Sequence, residues 1–348
     1  MATMNNPTEN SQNQDRAIAT WLLICCALVF AMVVLGGVTR LTGSGLSMVE
    51  WRPIMGALPP LSAQEWQEKF EIYQLTPEFR KVNSEFDVGD FKNIFWLEYL
   101  HRLLGRLIGL VFAVPMVYFA ATGRIPPRAW PKYLAMLALG GVQAFIGKIM
   151  VASGQVDAPQ VSHYRLTAHL AAAFLVYALM LWTALSLMFP AARDAVKHAL
   201  FNRTLAIFGI VSALIVSGGF VAGLKAGKIY NTFPKMGDAW LPEGLMALDP
   251  VWRNAFDNTA TVQFNHRWLA TFTFIIIVAY WFSARKADLP QRARPAVNAL
   301  LHTATLQVIL GISTLLLAVP VVLGATHQAV AMLLFTVLLY LVHALRRA

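Results

Sequence analysis

Eight apolar blocks, each about 20 residues long, constrain this chain more than anything else, because that is the length a helix needs to cross the hydrocarbon core of a bilayer. We place the spans at residues 17–38, 94–119, 132–152, 166–189, 203–223, 262–283, 296–319 and 324–345. Composition agrees: 57% of the residues are hydrophobic, only 13% are charged, and the mean hydropathy is +0.55, a balance too apolar for two soluble domains. The expected fold class is therefore an all-α polytopic membrane protein with eight transmembrane helices. The net charge of +10 reads as orientation and contact with anionic membrane lipid, and not as nucleic-acid binding. Cys25 and Cys26 are adjacent inside the first block, which excludes an ordinary loop-closing disulfide, and there is no CxxC or CxxCH motif for zinc or covalent haem.

Eight spans put both termini on one side. The short connections there carry Arg124, Arg128 and Lys132; Arg193, Lys197 and Arg203; Arg285, Lys286, Arg292 and Arg294; and finally Arg346 and Arg347. By the positive-inside rule this side is cytoplasmic. The polar N-terminus fits neither a secretory signal nor an Arg-rich transit peptide, so a bacterial inner membrane is expected. Two long loops on the outer side, 40–93 and 224–261, hold acids and aromatics (Trp51, Trp66, Tyr73, Trp240, Trp252), as a lid or an interfacial anchor would.

The two halves of the sequence carry matching residues in the same order. Gly36-Gly37 answers Gly218-Gly219, His101-Arg102 answers His266-Arg267, Gln143 and Gly147 answer Gln307 and Gly311, and His169 answers His327. Each half has four spans, so the repeat is parallel and two four-helix bundles form the economical arrangement. The expected division is a polar cytoplasmic tail, 1–16; an N-terminal bundle, 17–189, with outer loop 40–93; a cytoplasmic linker, 190–202; and a C-terminal bundle, 203–348, with outer loop 224–261.

Four of the eight histidines, His101, His169, His266 and His327, fall near the starts of the even-numbered spans, at similar depth near the outer surface. One inward-facing imidazole from each of two helices supplies the two axial ligands that haem iron takes, whereas a zinc site takes three or four protein ligands. The competing reading of a single membrane histidine is a hydrogen-bonded helix contact. His163, His198, His302 and His343 receive no role. Arg40, Arg102 and Arg267 sit where haem propionates would meet the polar boundary, or alternatively snorkel to lipid headgroups. Glycines such as Gly36, Gly105, Gly109, Gly140 and Gly218 allow close approach of helices or of a flat macrocycle.

The two halves differ at one informative place. Glu98 precedes His101 by three residues, on nearly the same helical face, while Gln263 stands at the matching position before His266. A carboxylate at this depth points to a functional site, the N-terminal half performing chemistry and the other holding a cofactor; the competing reading is an exposed acid favoured by the helix dipole.

The segment Phe95-Trp96-Leu97-Glu98-Tyr99-Leu100-His101-Arg102, the turn from Gly36 to Leu46, Asn265-His266-Arg267 and Thr326-His327-Gln328 resemble the haem A synthase family over residues 17–345. The resemblance implies an oxidoreductase acting on a CH or CH3 group, converting the C8 methyl of haem O to a formyl group to give haem A for cytochrome oxidase assembly. It implies a haem b cofactor on His266 and His327 with Arg267, and a haem O substrate faced or ligated by His101 and His169 with Arg102 and Arg40. Glu98 is the implied catalytic carboxylate. Implied partners are a haem O synthase, cytochrome oxidase assembly factors and an electron acceptor of unspecified chemistry; the sequence leaves room for a homo-oligomer. The haem sites are expected toward the periplasmic side. One branch of the family has a cysteine pair in the first outer loop; this chain has none between 40 and 93, which resembles the proteobacterial and mitochondrial branch. Two alternatives stand beside this reading: a b-type cytochrome passing electrons from quinol, which has no need of the Glu98/Gln263 difference, and a repeat-built transporter, which calls for broken helices near Pro115 or Pro320.

Overall fold

The structure, a computed structural model, describes residues 7–51, 56, 58–156, 159–190 and 196–346. Residues 1–6 of the polar tail, Arg193 in the linker 190–202, and Arg347 lie outside the described residues. Helix α1 runs Pro7–Leu41, α4 Val88–Ala121, α5 Trp130–Ala152, α6 His163–Met188, α7 Phe201–Gly223, the short α8 Asn254–Asp257, α9 Thr259–Ala284, α10 Ala293–Leu316 and α11 Val321–Leu345. Among the described residues these contain eight stretches long and apolar enough to cross a membrane. The chain is an all-α multi-pass membrane protein.

Most ends agree with the hydropathy reading to within a few residues, and the departures have local causes. Helix α1 begins ten residues before the expected span, because nothing in its polar tail breaks a helix and Pro7 is tolerated in a first turn. Helix α4 starts at Val88 because Asp87 and Asp90 form a reciprocal capping box there. Helix α10 stops at Leu316, where Ala318 and Val319 turn into left-handed backbone (φ 57° and 65°) ahead of Pro320. Pro115 lies inside α4 without ending it, and Pro320 merely precedes α11. Neither makes the mid-membrane break that a transporter would use.

Helices α1, α4, α5 and α6 pack in a closed ring in that order, and so do α7, α9, α10 and α11. Helices α4 and α6 are diagonal in the first ring, as α9 and α11 are in the second. The rings meet where α1 packs on α11 and α6 packs on α7 and α11. In lipid, apolar burial does not drive helix association, so close packing and interhelical hydrogen bonds must supply it. Trp21 fills the first ring toward the N-terminal half of α1, against Phe112, Phe119 and Tyr133, and its indole N–H reaches the Val111 carbonyl at 2.8 Å. Across the junction, the Tyr177 hydroxyl pairs with Thr336 at 2.8 Å, and Gln328 Nε2 donates to the Val33 carbonyl at 2.6 Å.

The first outer loop is itself folded. Helix α2, Ala63–Gln74, starts at a Ser62 cap, and α3, Pro77–Lys81, starts at a Thr76 cap. Trp66, Phe70 and Tyr73 recur at helical spacing and bury against Phe91, Ile94 and Phe95 on the outer end of α4. Here, in contact with water, each large apolar side chain buried contributes roughly 1.5–3 kcal/mol. Within this small core Glu78 is 7% exposed, accepts a hydrogen bond from Tyr73 at 3.3 Å, and is pushed up to about 7 by burial, with the nearby Glu98 charge adding to the effect.

Because 7 exceeds the ordinary 4.5 of this carboxyl, the folded loop keeps a proton that the unfolded loop releases between those two pH values, so local stability falls as pH rises through that window. Amide-exchange protection over residues 63–83 is expected to decline from about pH 5 to about pH 8 in the natural protein and to stay level in Glu78→Gln. An equal decline in both proteins would contradict this assignment.

Candidate haem sites and the outer loops that cover them

All four expected histidines stand in the same local setting. His101 on α4 lies against Gly36 of α1, and a Cβ placed there would come within 2.9 Å of its Cε1. His169 on α6 lies against Gly147 of α5 (3.0 Å), His266 on α9 against Gly218 of α7 (3.3 Å), and His327 on α11 against Gly311 of α10 (3.0 Å). Each imidazole thus occupies the space a side chain would take on a neighbouring helix. The two imidazoles of each ring sit on diagonal helices, each against a glycine of a neighbouring helix.

Their polar atoms are largely unspent. The Nδ1 atoms of His101, His169 and His327 are buried and have no hydrogen-bond partner, while His266 Nδ1 meets the Ser217 hydroxyl at 3.3 Å. Gln143 donates to the His169 carbonyl at 2.9 Å, and Gln307 lies 3.4 Å from His327 Nε2. Among the described residues no three His, Cys, Asp or Glu side chains converge as a metal cluster. A pair of imidazoles across a helical ring suits a metal whose other ligands come from a macrocycle. The orphaned ring nitrogens and the glycine seats fit such a group in both rings.

Glu98 is 3% exposed and fully engaged. Its Oε2 accepts from the Ser47 hydroxyl at 2.7 Å and the Met48 amide at 2.8 Å, and its Oε1 accepts from Arg102 at 2.6 Å. Arg102 also donates to the carbonyls of Met48 (2.8 Å) and Glu50 (3.1 Å), with Trp51 over its guanidinium at 5.3 Å. Glu98 and Arg102 together fasten the first outer loop above His101.

Gln263 and Arg267 do the same for the second outer loop. Gln263 donates to the Tyr230 carbonyl at 3.0 Å; Arg267 donates to the carbonyls of Tyr230 (2.6 Å), Thr232 (2.7 Å) and Lys235 (3.2 Å). This parallel gives the Glu98/Gln263 difference a local cause. The first loop offers a hydroxyl and an amide N–H, which require an acceptor; the second offers a carbonyl, which requires a donor. Glu98 also stands one turn before His101 on α4, on nearly the same face of the helix.

Arg40 ends α1 half-buried, and its guanidinium makes no hydrogen bond or ion pair with a described residue. Of the histidines given no role, His163 opens α6 and contacts Asp257 at 2.9 Å, tying the second outer loop to the first ring; His343 is buried at the C-terminal end of α11 near Ser186. Sequence reasoning missed Ser47, which carries no motif of its own, and Gln328, which was visible beside His327 but not as a bridge to α1.

The family model for COX15-CtaA, described as cytochrome oxidase assembly protein, matches residues 19–339. The chain belongs to this family. It is 48% identical to the Heme A synthase of Nitrosospira multiformis over 99% of this chain and 98% of that one. It is 44% identical to human Heme A synthase COX15, covering 97% of this chain and 84% of the human protein. Against Heme A synthase COX15 of Arabidopsis thaliana it is 45% identical, over 95% and 75% respectively. Membership in the COX15-CtaA family agrees with a membrane protein whose side chains suit haem.

A methyl or larger group at a histidine seat must displace the ring, an overpacking cost of about 1–3 kcal/mol. Gly311→Val is expected to lower bound haem in the reduced-minus-oxidised spectrum, whereas Gly109→Ala, with nothing within 4 Å of its added carbon, leaves the spectrum unchanged. Equal spectra for both variants would contradict the seating role.

Proposed function

We propose that this chain is a haem A synthase, an oxidoreductase that converts the C8 methyl of haem O to a formyl group. The observation that carries this reading is the burial of Glu98 one turn from His101, in the ring that also contains His169. His101 and His169 face the iron of the haem O substrate. His266 and His327 hold a resident haem b, which supplies a one-electron redox centre when bound. The N-terminal half, 17–189, is the substrate unit and the C-terminal half, 203–348, the cofactor unit. Arg40, at the outer end of α1 and without a hydrogen-bond partner among the described residues, takes a propionate; Arg102 and Arg267 border the propionate ends while holding the outer loops closed. The protein lies in a bacterial inner membrane with both termini cytoplasmic and both haem sites toward the periplasmic side.

In this reading the substrate methyl gives up two electrons to an external acceptor and releases a proton, leaving a carbon centre with positive character. Glu98 stabilises it electrostatically and accepts a proton as water adds, giving a hydroxymethyl group. A second round yields a hydrated aldehyde, which loses water. The Arg102, Ser47 and Met48 donors fix the carboxylate, so it need not reorganise when charge develops. The outer loop covers the site from the water side, and a substrate with a long isoprenoid tail reaches it from the bilayer. A haem O synthase supplies that substrate and cytochrome oxidase assembly factors receive the product.

Glu98→Gln keeps the shape of the side chain and removes its charge. Haem extraction from the purified variant is expected to give haem O and haem b with haem A lowered at least 100-fold, on the scale typical of a lost acid–base group. Undiminished haem A rejects the catalytic role. His266→Ala and His327→Ala are each expected to lower haem b content, read from the reduced-minus-oxidised spectrum; full haem b in both variants rejects that ligand pair.

A further inference from the structure

The outer ends of α4 and α9 treat their arginines differently. In the first ring the chain covers Arg102 with its own Trp51 ring, 5.3 Å from the guanidinium carbon. In the second, no ring of the described residues covers Arg267. Beside it is a cavity of about 190 Å³, lined by Phe233, Pro234, Met236 and Trp240 of the outer loop and by Arg267, Trp268 and Thr271 of α9. Trp240 is 53% exposed, and Trp240 and Trp268 face each other with centroids 6.5 Å apart. Trp268 stands two residues after His266, about 200° around the helix, so the cavity lies on the membrane side of α9 while the imidazole faces the ring interior.

A planar ring with polar edges suits this cavity as Trp51 suits its counterpart. The walls are aromatic, one end is cationic, and the opening is at the outer membrane interface. Arg267 spends three of its five N–H groups on loop carbonyls and borders the cavity with its side chain. We infer that this cavity binds the head ring of a membrane quinone, which serves as the electron acceptor of the reaction. The inference rests on the haem A synthase reading for its chemistry. Each oxidation balances as R–CH3 + H2O + quinone → R–CH2OH + quinol, and the second as R–CH2OH + H2O + quinone → R–CH(OH)2 + quinol. A C–H bond is broken and a C–O bond formed each time, and the quinone takes up two electrons and two protons.

The test uses the purified full-length protein in phospholipid nanodiscs with an azido-substituted short-chain ubiquinone. After illumination, peptide mass spectrometry is expected to place adducts within 233–240 and 267–271. Excess decylubiquinone removes them and added phospholipid does not. Thr271→Trp, and independently Met236→Trp, fill the cavity with a ring of the protein's own and are expected to lower labelling about 10-fold, equivalent to about 1.4 kcal/mol of binding, with haem content unchanged. Adducts elsewhere, adducts undiminished in both variants, or equal competition by phospholipid overturn the proposal. Haem extraction from the same samples separates the two ideas: a labelled cavity without haem A removes the synthase reading, and haem A with an unlabelled cavity removes the quinone site.

Discussion

The contact on which this architecture depends is an imidazole ring laid against a glycine of the adjacent helix. Two helices cannot approach closely enough to aim a histidine into a four-helix ring if a side chain stands at the facing position. The same contact occurs four times, at Gly36, Gly147, Gly218 and Gly311, with first distances from 2.9 to 3.3 Å. Helix order then does the rest. Because the histidines sit on the second and fourth spanning helices of each ring, they meet across a diagonal with the ring interior between them.

The glycine pairs also join the two rings. Gly36 seats His101, and its neighbour Gly37 lies against Gln328, where a Cβ would come within 2.7 Å of the amide oxygen. Gln328 follows His327 in sequence and donates to α1. On the other side, Gly218 seats His266 and Gly219 packs on Thr167, two residues before His169. Each pair therefore touches a histidine of its own ring and the fourth spanning helix of the other. A shift of α1 or α7 is felt at both candidate sites, since packed helices transmit displacement with little give.

Much of this was legible in the sequence, for physical reasons that hold elsewhere. Lipid demands long apolar helices, so eight spans and their order follow from hydropathy, and the matched glycines and histidines are single-letter signals at recognisable spacing. Helix α2 lies inside what reads in sequence as a long loop, because a short amphipathic helix with Trp66, Phe70 and Tyr73 on one face leaves no hydropathy signal. The partners of Arg102 and Arg267 were not legible. Most of them are backbone carbonyls, which leave no trace in a sequence, and so side chains expected at propionates or lipid headgroups fasten loops. The Glu98/Gln263 difference stood out in sequence, but its cause, donors in one loop and a carbonyl in the other, required coordinates.

The central claim is that diagonal imidazole pairs bind haem iron through two nitrogen ligands. Near-infrared magnetic circular dichroism of the oxidised, purified protein tests it most directly, because the charge-transfer band of low-spin ferric haem reports its axial ligands. The account predicts a bis-imidazole band that His327→Met shifts to the position of histidine–methionine ligation. A band unchanged by that substitution, or a spectrum with no bis-imidazole component, would contradict it.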